Sequence, residues 1–273
     1  MNYYLSREQA LNACRELSNF YIGLKQYYAA NGLDVESNRG RRNILMSEPM
    51  EKFIANELSK SFRKVVSDGR TGKADIVLEH EGQEIEIECK LTSPHESSGS
   101  IAFQTDYQTL RRKGSLDYIY IVANPDFDAF CCIYFSQLNA DDFRRLSPGA
   151  RGKVQMYKHR GMKKAKVLVG NVIDRKLRQI NKLEAEKLRL GILKSDFDKS
   201  IKSYKDVAQK SLLDDISSNE KIATLINKKN IKSQKYDEKL YKLEHKIIMK
   251  SMENSSYSIE YEVIKDETAS NID

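Results

Sequence analysis

Between Ala74 and Leu91 the chain changes from a helical to a two-residue rhythm, and this change constrains the fold most. Glu84-Ile85-Glu86-Ile87-Glu88-Cys89-Lys90-Leu91 alternates polar and apolar residues without a break. Alternation places residues two apart on one face of a strand. Ala74–Glu79 reads as its partner, and Glu81-Gly82 between them is a hairpin signal. Glu88 and Lys90 then share a face, with Ile85, Ile87 and Cys89 on the other.

The flanking residues supply the other layers. Residues 6–31 read as a helix, with Ser6 able to cap it and Gly32 able to end it. Residues 33–46 read as a polar, basic loop. Ser47-Glu48-Pro49 looks like a helix start, because Ser caps free N–H groups and Pro suits a first turn. Met50, Phe53, Ile54, Leu58 and Phe62 then mark one apolar face, which predicts a helix over about 48–62. Residues 63–67 fit a short strand and 102–113 a helix. Strands are expected at 117–123 and 129–135, around the Asn124-Pro125-Asp126 turn, and further β segments at 153–158 and 164–170. The order predicts an α/β fold, a mixed central sheet flanked by helices.

No Pro occurs after Pro148, and from Asp174 the apolar residues return to helical spacing. Residues 174–250 therefore read as two or three long amphipathic helices, a C-terminal helical extension. The expected divisions are 1–46 (helix and basic loop), 47–172 (core), 173–250 (helical region) and 251–273 (loose tail).

Composition narrows the function classes. No apolar run approaches the roughly 20 residues of a membrane-spanning helix. The N-terminal residues lack a charged start followed by an apolar core, so a cytoplasmic location is expected. Cys14, Cys89, Cys131 and Cys132 form no CxxC pair, and four scattered histidines give no zinc-hydrolase spacing. Neither a disulfide framework nor zinc is expected. The net charge of +7 is concentrated: nine Lys or Arg and no Asp or Glu lie between Arg144 and Lys166. Smaller clusters are Arg39, Arg41 and Arg42, and Arg111, Arg112 and Lys113. Such patches suit phosphate backbones, or are ordinary solvated surface.

The chemistry is concentrated in the hairpin. Asp75 lies 13 residues before Glu88, on the preceding strand, where pairing around Gly82 brings the two together. Adjacent carboxylates repel unless a cation stands between them. Mg²⁺ favours oxygen ligands and keeps several waters. Lys90 beside such an ion could orient or help deprotonate a water and offset charge on a pentavalent phosphate. Glu51 falls on the inward arc of the preceding helix and is a candidate for the same cluster, with Glu48 as the alternative nearer the rim. The plainer reading of Asp75, Glu88 and Lys90 is a surface salt bridge. Other acid-x-Lys spacings, at Asp237/Lys239 and Glu244/Lys246, lie in the charged helical tail.

Gly72-Lys73-Ala74-Asp75-Ile76-Val77-Leu78 followed by Glu86-Ile87-Glu88-Cys89-Lys90 resembles the PD-(D/E)XK nuclease superfamily, typical of type II restriction endonucleases. Ala74 stands where the family name has proline. The resemblance covers about a third of the chain, since residues 48–135 follow the family order of elements. It implies a restriction endonuclease-like core, Asp75 and Glu88 as metal ligands, Lys90 as the water-activating residue and Glu51 as the helix-borne acid. The expected function is Mg²⁺-dependent endonucleolytic hydrolysis of double-stranded DNA, sequence-specific and of restriction type, by a homodimer. The alternatives are a structure-selective nuclease of repair, recombination or phage processing, and a non-catalytic helical DNA-binding protein. Candidate DNA contacts are Gln104 and Gln108 on one helix face, Arg111, and the basic residues Arg144, Arg145, Arg151, Lys153, Lys158, Arg160, Lys163 and Lys164.

Overall fold

A computed structural model describes residues 2–68, 73–95, 97–146, 152–210, 216–252 and 256–264. In chain order the elements are α1 (Arg7–Ala30), α2 (Arg39–Ser59), β1 (Val65–Ser67), β2 (Ile76–His80), β3 (Gln83–Thr92), β4 (Gln104–Asp106), α3 (Tyr107–Lys113), β5 (Ser115–Ala123), β6 (Ala129–Asn139), β7 (Lys153–Gln155), α4 (Lys158–Gly161), β8 (Ala165–Val169), β9 (Asn171–Asp174), α5 (Arg175–Lys210), α6 (Ile216–Met252), β10 (Tyr257–Glu260) and β11 (Glu262–Val263). The fold is α/β. The chain divides into two compact units, residues 1–173 with 257–273, and residues 174–256.

The first unit is built on a mixed seven-stranded sheet ordered β1-β2-β3-β5-β6-β11, with β8 also paired to β6. β3 and β5 run parallel, and the other pairs are antiparallel. Strict alternation along the central strands gives the sheet two apolar faces. Ile119, Ile121, Cys132 and Tyr134 face α1 and α2, while Tyr118, Tyr120, Ile133 and Phe135 face α3 and the β4–β7 ribbon. Adjacent Cys131 and Cys132 consequently lie in opposite cores, and all four cysteines are free and buried.

Residues 33–46 are not one long loop. Asn38, whose side chain accepts from the Arg41 N–H, caps α2, which continues through Pro49 to Ser59. Ser47 is inside this helix, and its hydroxyl bonds back to the Asn43 carbonyl. Met46, Met50, Ile54 and Leu58, four apart, are all buried against α1 and the sheet. Burying four such side chains at roughly 1.5–3 kcal/mol each outweighs the roughly 3 kcal/mol that an interior proline costs.

The expected helix over 102–113 is also shorter. Gln104–Asp106 is a strand paired with Lys153–Gln155, and α3 begins only at Tyr107. Asp106 caps α3 by accepting from the Thr109 N–H, and Thr105 is held in the core by a hydroxyl contact of 2.8 Å with Tyr118. Gln104 and Gln108 therefore do not share a helix face.

The tail expected over 251–273 is in part a strand-forming segment. β10 pairs with β9, and β11 completes one edge of β6. Glu262 fixes the return: its carboxylate accepts from Arg7 at 2.6 Å and from the Gly170 N–H at 2.9 Å. Gly170 has φ +70°, and a Cβ there would stand 2.5 Å from the Glu260 carbonyl oxygen, so only glycine fits. Residues 265–273 lie outside the described residues.

The second unit is a helical hairpin. Ion pairs Lys187–Glu244 and Lys194–Asp237 at 2.6 Å, and Ser233 donating to Asp198, run in opposite sequence directions, so α5 and α6 are antiparallel. Lys229 lies 3.9 Å over the Tyr204 ring, and Phe197 packs on Tyr236. Among the described residues, no helix is long and apolar enough to cross a membrane.

One buried cation ties α2 to the sheet. Arg42, expected in a basic surface cluster, is 1% exposed. Its guanidinium donates to the Pro125 carbonyl and Ser93 hydroxyl and lies 4.8 Å over the Phe127 ring. Removing it breaks the hydrogen bonds to Pro125 and Ser93 and opens a void beside the buried Phe127. Arg42→Ala should therefore lower the unfolding free energy by about 3 kcal/mol. Urea denaturation checks this; a change below about 1 kcal/mol would show that these contacts contribute little.

Candidate active site

The β2–β3 hairpin positions the site. Glu81 (φ 52°) and Gly82 (φ 75°) are both left-handed, as a two-residue turn of the primed type requires. The resulting register pairs Ile76 with Ile87, so the next step outward sets Asp75 beside Glu88. Asp75 Oδ2 accepts from the Cys89 N–H at 2.8 Å and from Lys90 Nζ at 3.0 Å. Lys90 Nζ also donates to Glu88 Oε2 at 2.7 Å and to the Cys89 carbonyl at 3.0 Å. Both carboxylate oxygens touch one nitrogen, so they are no further apart than the sum of those contacts, 5.7 Å.

Three oxygens, from Asp75, Glu88 and the Cys89 main chain, therefore face one positively charged point. Sequence reading finds the two carboxylates but misses the carbonyl, because a side-chain motif says nothing of where the main chain points. Among the described residues, no three His, Cys, Asp or Glu side chains are grouped to hold a metal alone. The cradle nevertheless fits a hard cation, since all its donors are oxygens and Mg²⁺ completes its shell with water.

Electrostatics show an excess of negative charge. Burial and the Asp75 carboxylate push Glu88 above the usual range, against the opposing pull of Lys90. Burial, with Asp75 and Glu88, raises Glu51 to about 7. Burial disfavours the Lys90 ammonium, yet Glu88 and Asp75 outweigh it and hold Lys90 charged well above its ordinary value. Glu51 thus senses all three residues, although among the described residues no hydrogen bond links it to them. Glu48 instead lines a separate apolar groove with Phe20, Leu24 and Phe53.

The cluster opens into a cleft of about 460 Å³, lined by Asp75, Glu88, Lys90, Gln104, Tyr120 and Lys153 among others. Tyr120 donates to the Gln104 carbonyl at 2.7 Å and so ties the sheet to β4 at the cleft floor. Lys73, two residues before Asp75, also lines the cleft, 3.1 Å from Asp68, and charge clustering along the sequence does not mark it.

The remaining sequence-predicted contacts separate into groups. Gln104 and Lys153 reach the cleft. Gln108, Arg111, Arg144, Arg145 and Lys163 are exposed. Lys158 is half-buried, and burial together with nearby Arg144 lowers its pKa. Two residues have structural partners: Lys164 pairs with Asp142 at 2.7 Å, and Arg160 donates to the Asp141 carbonyl and stacks on Tyr157. Arg151 lies outside the described residues. No protein-family model and no curated protein sequence matches the chain.

The raised Glu51 carboxyl has a measurable consequence. Its folded pKa of about 7 lies above the ordinary 4.5, so its ionised form costs stability. The cost is absent below the ordinary value, grows as pH rises and is complete above the folded value. Glu51→Gln should therefore stabilise the chain in EDTA at about pH 8, by on the order of 1 kcal/mol after solvent screening, and change little at about pH 4. Urea melts at the two pH values test this, and equal effects at both would contradict it.

Proposed function

We propose that the chain is a Mg²⁺-dependent endonuclease that hydrolyses phosphodiester bonds of double-stranded DNA, sequence-specifically and in the manner of a restriction enzyme. The observation carrying this reading is the three-oxygen cradle of Asp75, Glu88 and the Cys89 carbonyl around one cationic point, open to a cleft. A solvated surface ion pair has no need of a buried glutamate, and Glu88 is only 8% exposed.

Asp75, Glu88 and the Cys89 carbonyl would hold Mg²⁺, with Glu51 acting through water. The ion supplies charge that polarises a phosphoryl oxygen and makes water more acidic. The chain's own groups do the rest. The Cys89 N–H fixes one Asp75 oxygen, so that carboxylate is oriented before substrate arrives. The Lys90 ammonium directs its donors to the three cradle oxygens in the structure; with the ion on them, it would be released to donate hydrogen bonds to oxygens on which charge builds as water attacks phosphorus and the ester oxygen departs. Lys73 and Lys153 bring positive charge to the cleft walls, where a phosphate backbone would run. One cluster cuts one strand, and a symmetric pair of chains would cut both.

Digestion of a sequenced plasmid with Mg²⁺ should give discrete bands that disappear with EDTA. Asp75→Ala and Lys90→Ala should each lower cleavage at least about 100-fold while leaving DNA binding measurable. Sedimentation of the DNA complex should show two chains per site. Undiminished cutting by both variants would overturn the site assignment.

A further inference from the structure

The small sheet beside the cleft has a regular two-sided character. β4 and β7 pair with Gln104 opposite Gln155 and Asp106 opposite Lys153. A third strip joins them: Arg144 N–H donates to the Gln155 carbonyl, Tyr157 N–H to the Asp142 carbonyl, and Phe143 bridges Met156. The register places Gln104, Gln155 and Arg144 in one row across three adjacent segments. All three are exposed. The neighbouring row, Phe103, Met156 and Phe143, is buried in the second core. Core packing therefore fixes which way the polar row faces.

Two further observations bear on what that row is for. Gln104 and Lys153, both on the exposed side, line the cleft that holds Asp75, Glu88 and Lys90. In addition, among the described residues none of the Gln104, Gln155 and Arg144 side chains takes part in a hydrogen bond. Two amides and a guanidinium, aligned and with free hydrogen-bonding capacity, thus stand next to the proposed hydrolytic centre.

We propose that the row Gln104–Gln155–Arg144 reads base edges in the major groove of duplex DNA, an inference that rests on the duplex-DNA reading above. A major groove admits a two-stranded ribbon, here β4–β7, with Arg144 at its margin. Glutamine can pair in bidentate fashion with adenine N6 and N7, and arginine with guanine O6 and N7. Strands lie about 4.8 Å apart and stacked bases about 3.4 Å, so neighbours in the row reach base pairs one or two steps apart. The recognised site should therefore contain adenine and guanine close together. Lys153, two rows away on the same face, meets the phosphate backbone and adds affinity without sequence preference. Duplex RNA is a poor fit, because its major groove is too deep and narrow for side chains to read.

The test is selection of bound sequences from a randomised duplex DNA library, using the full chain in EDTA so that no strand is cut. The wild type should enrich a site with A and G close together. Gln155→Ala should lose about tenfold or more discrimination at an adenine, and Arg144→Ala at a guanine. Gln155→Arg should move the preference from adenine towards guanine, a gain that misfolding cannot imitate. Lys153→Ala should weaken all sequences alike. An absent preference, or one unchanged in the Gln155 and Arg144 variants, overturns the proposal. Cleavage with Mg²⁺ separates the two readings. A selected site that is never cut removes the hydrolytic reading and leaves the ribbon intact. Cutting whose specificity ignores these variants removes the ribbon alone.

Discussion

Two residues in the left-handed region, Glu81 and Gly82, set the register on which the site depends. A strand that slips by one position exchanges its two faces. Such a slip would turn Glu88 and Lys90 into the apolar core beneath α1 and α2, and Ile87 and Cys89 out to the cleft. The turn and the hydrophobic pattern agree, so each reinforces the other. The Cys89 N–H then adds a direct restraint, since it holds Asp75 at the point where that residue leaves the ladder.

The sheet carries this arrangement because both its faces are covered. The α1/α2 layer packs on one face and the α3 and β4–β7 layer on the other. Charged groups at Glu88 and Lys90 are tolerated at the edge of the second layer because they satisfy one another, and the cleft gives them partial access to water. The same environment raises the Glu51 and Glu88 carboxyls and keeps Lys90 charged. Repulsion among acids, partly offset by a single ammonium, is the electrostatic state that a divalent ion relieves.

Much of this was legible in the chain. The hairpin, the central strands, the long helices and the nearness of Asp75 to Glu88 follow from local periodicity and turn chemistry. What was not legible depended on distant partners. Pro49 looks like a helix start because its missing N–H is harmless there, and only the buried Met46 and Met50 show that the helix runs through it. Gln104 fits a helix until Gln155, far along the chain, supplies its strand neighbour. Tyr257–Val263 is short and polar enough to pass for a tail, and becomes strand through Glu262, Arg7 and Gly170. Basic residues also proved unequal: Arg42 is a core residue and Lys164 a structural partner, which charge counting cannot distinguish from Lys153 at the cleft.

The late return of β11 affects biosynthesis. The strand that completes one edge of β6 is made only after the entire α5–α6 hairpin, so the sheet cannot close before that hairpin has been synthesised. The ends of the intervening helical segment meet through the Arg175 N–H and the Ser256 carbonyl at 2.8 Å. In topological terms that segment is an insertion with adjoining ends, a pattern that evolution can lengthen, shorten or exchange without rethreading the strands around it.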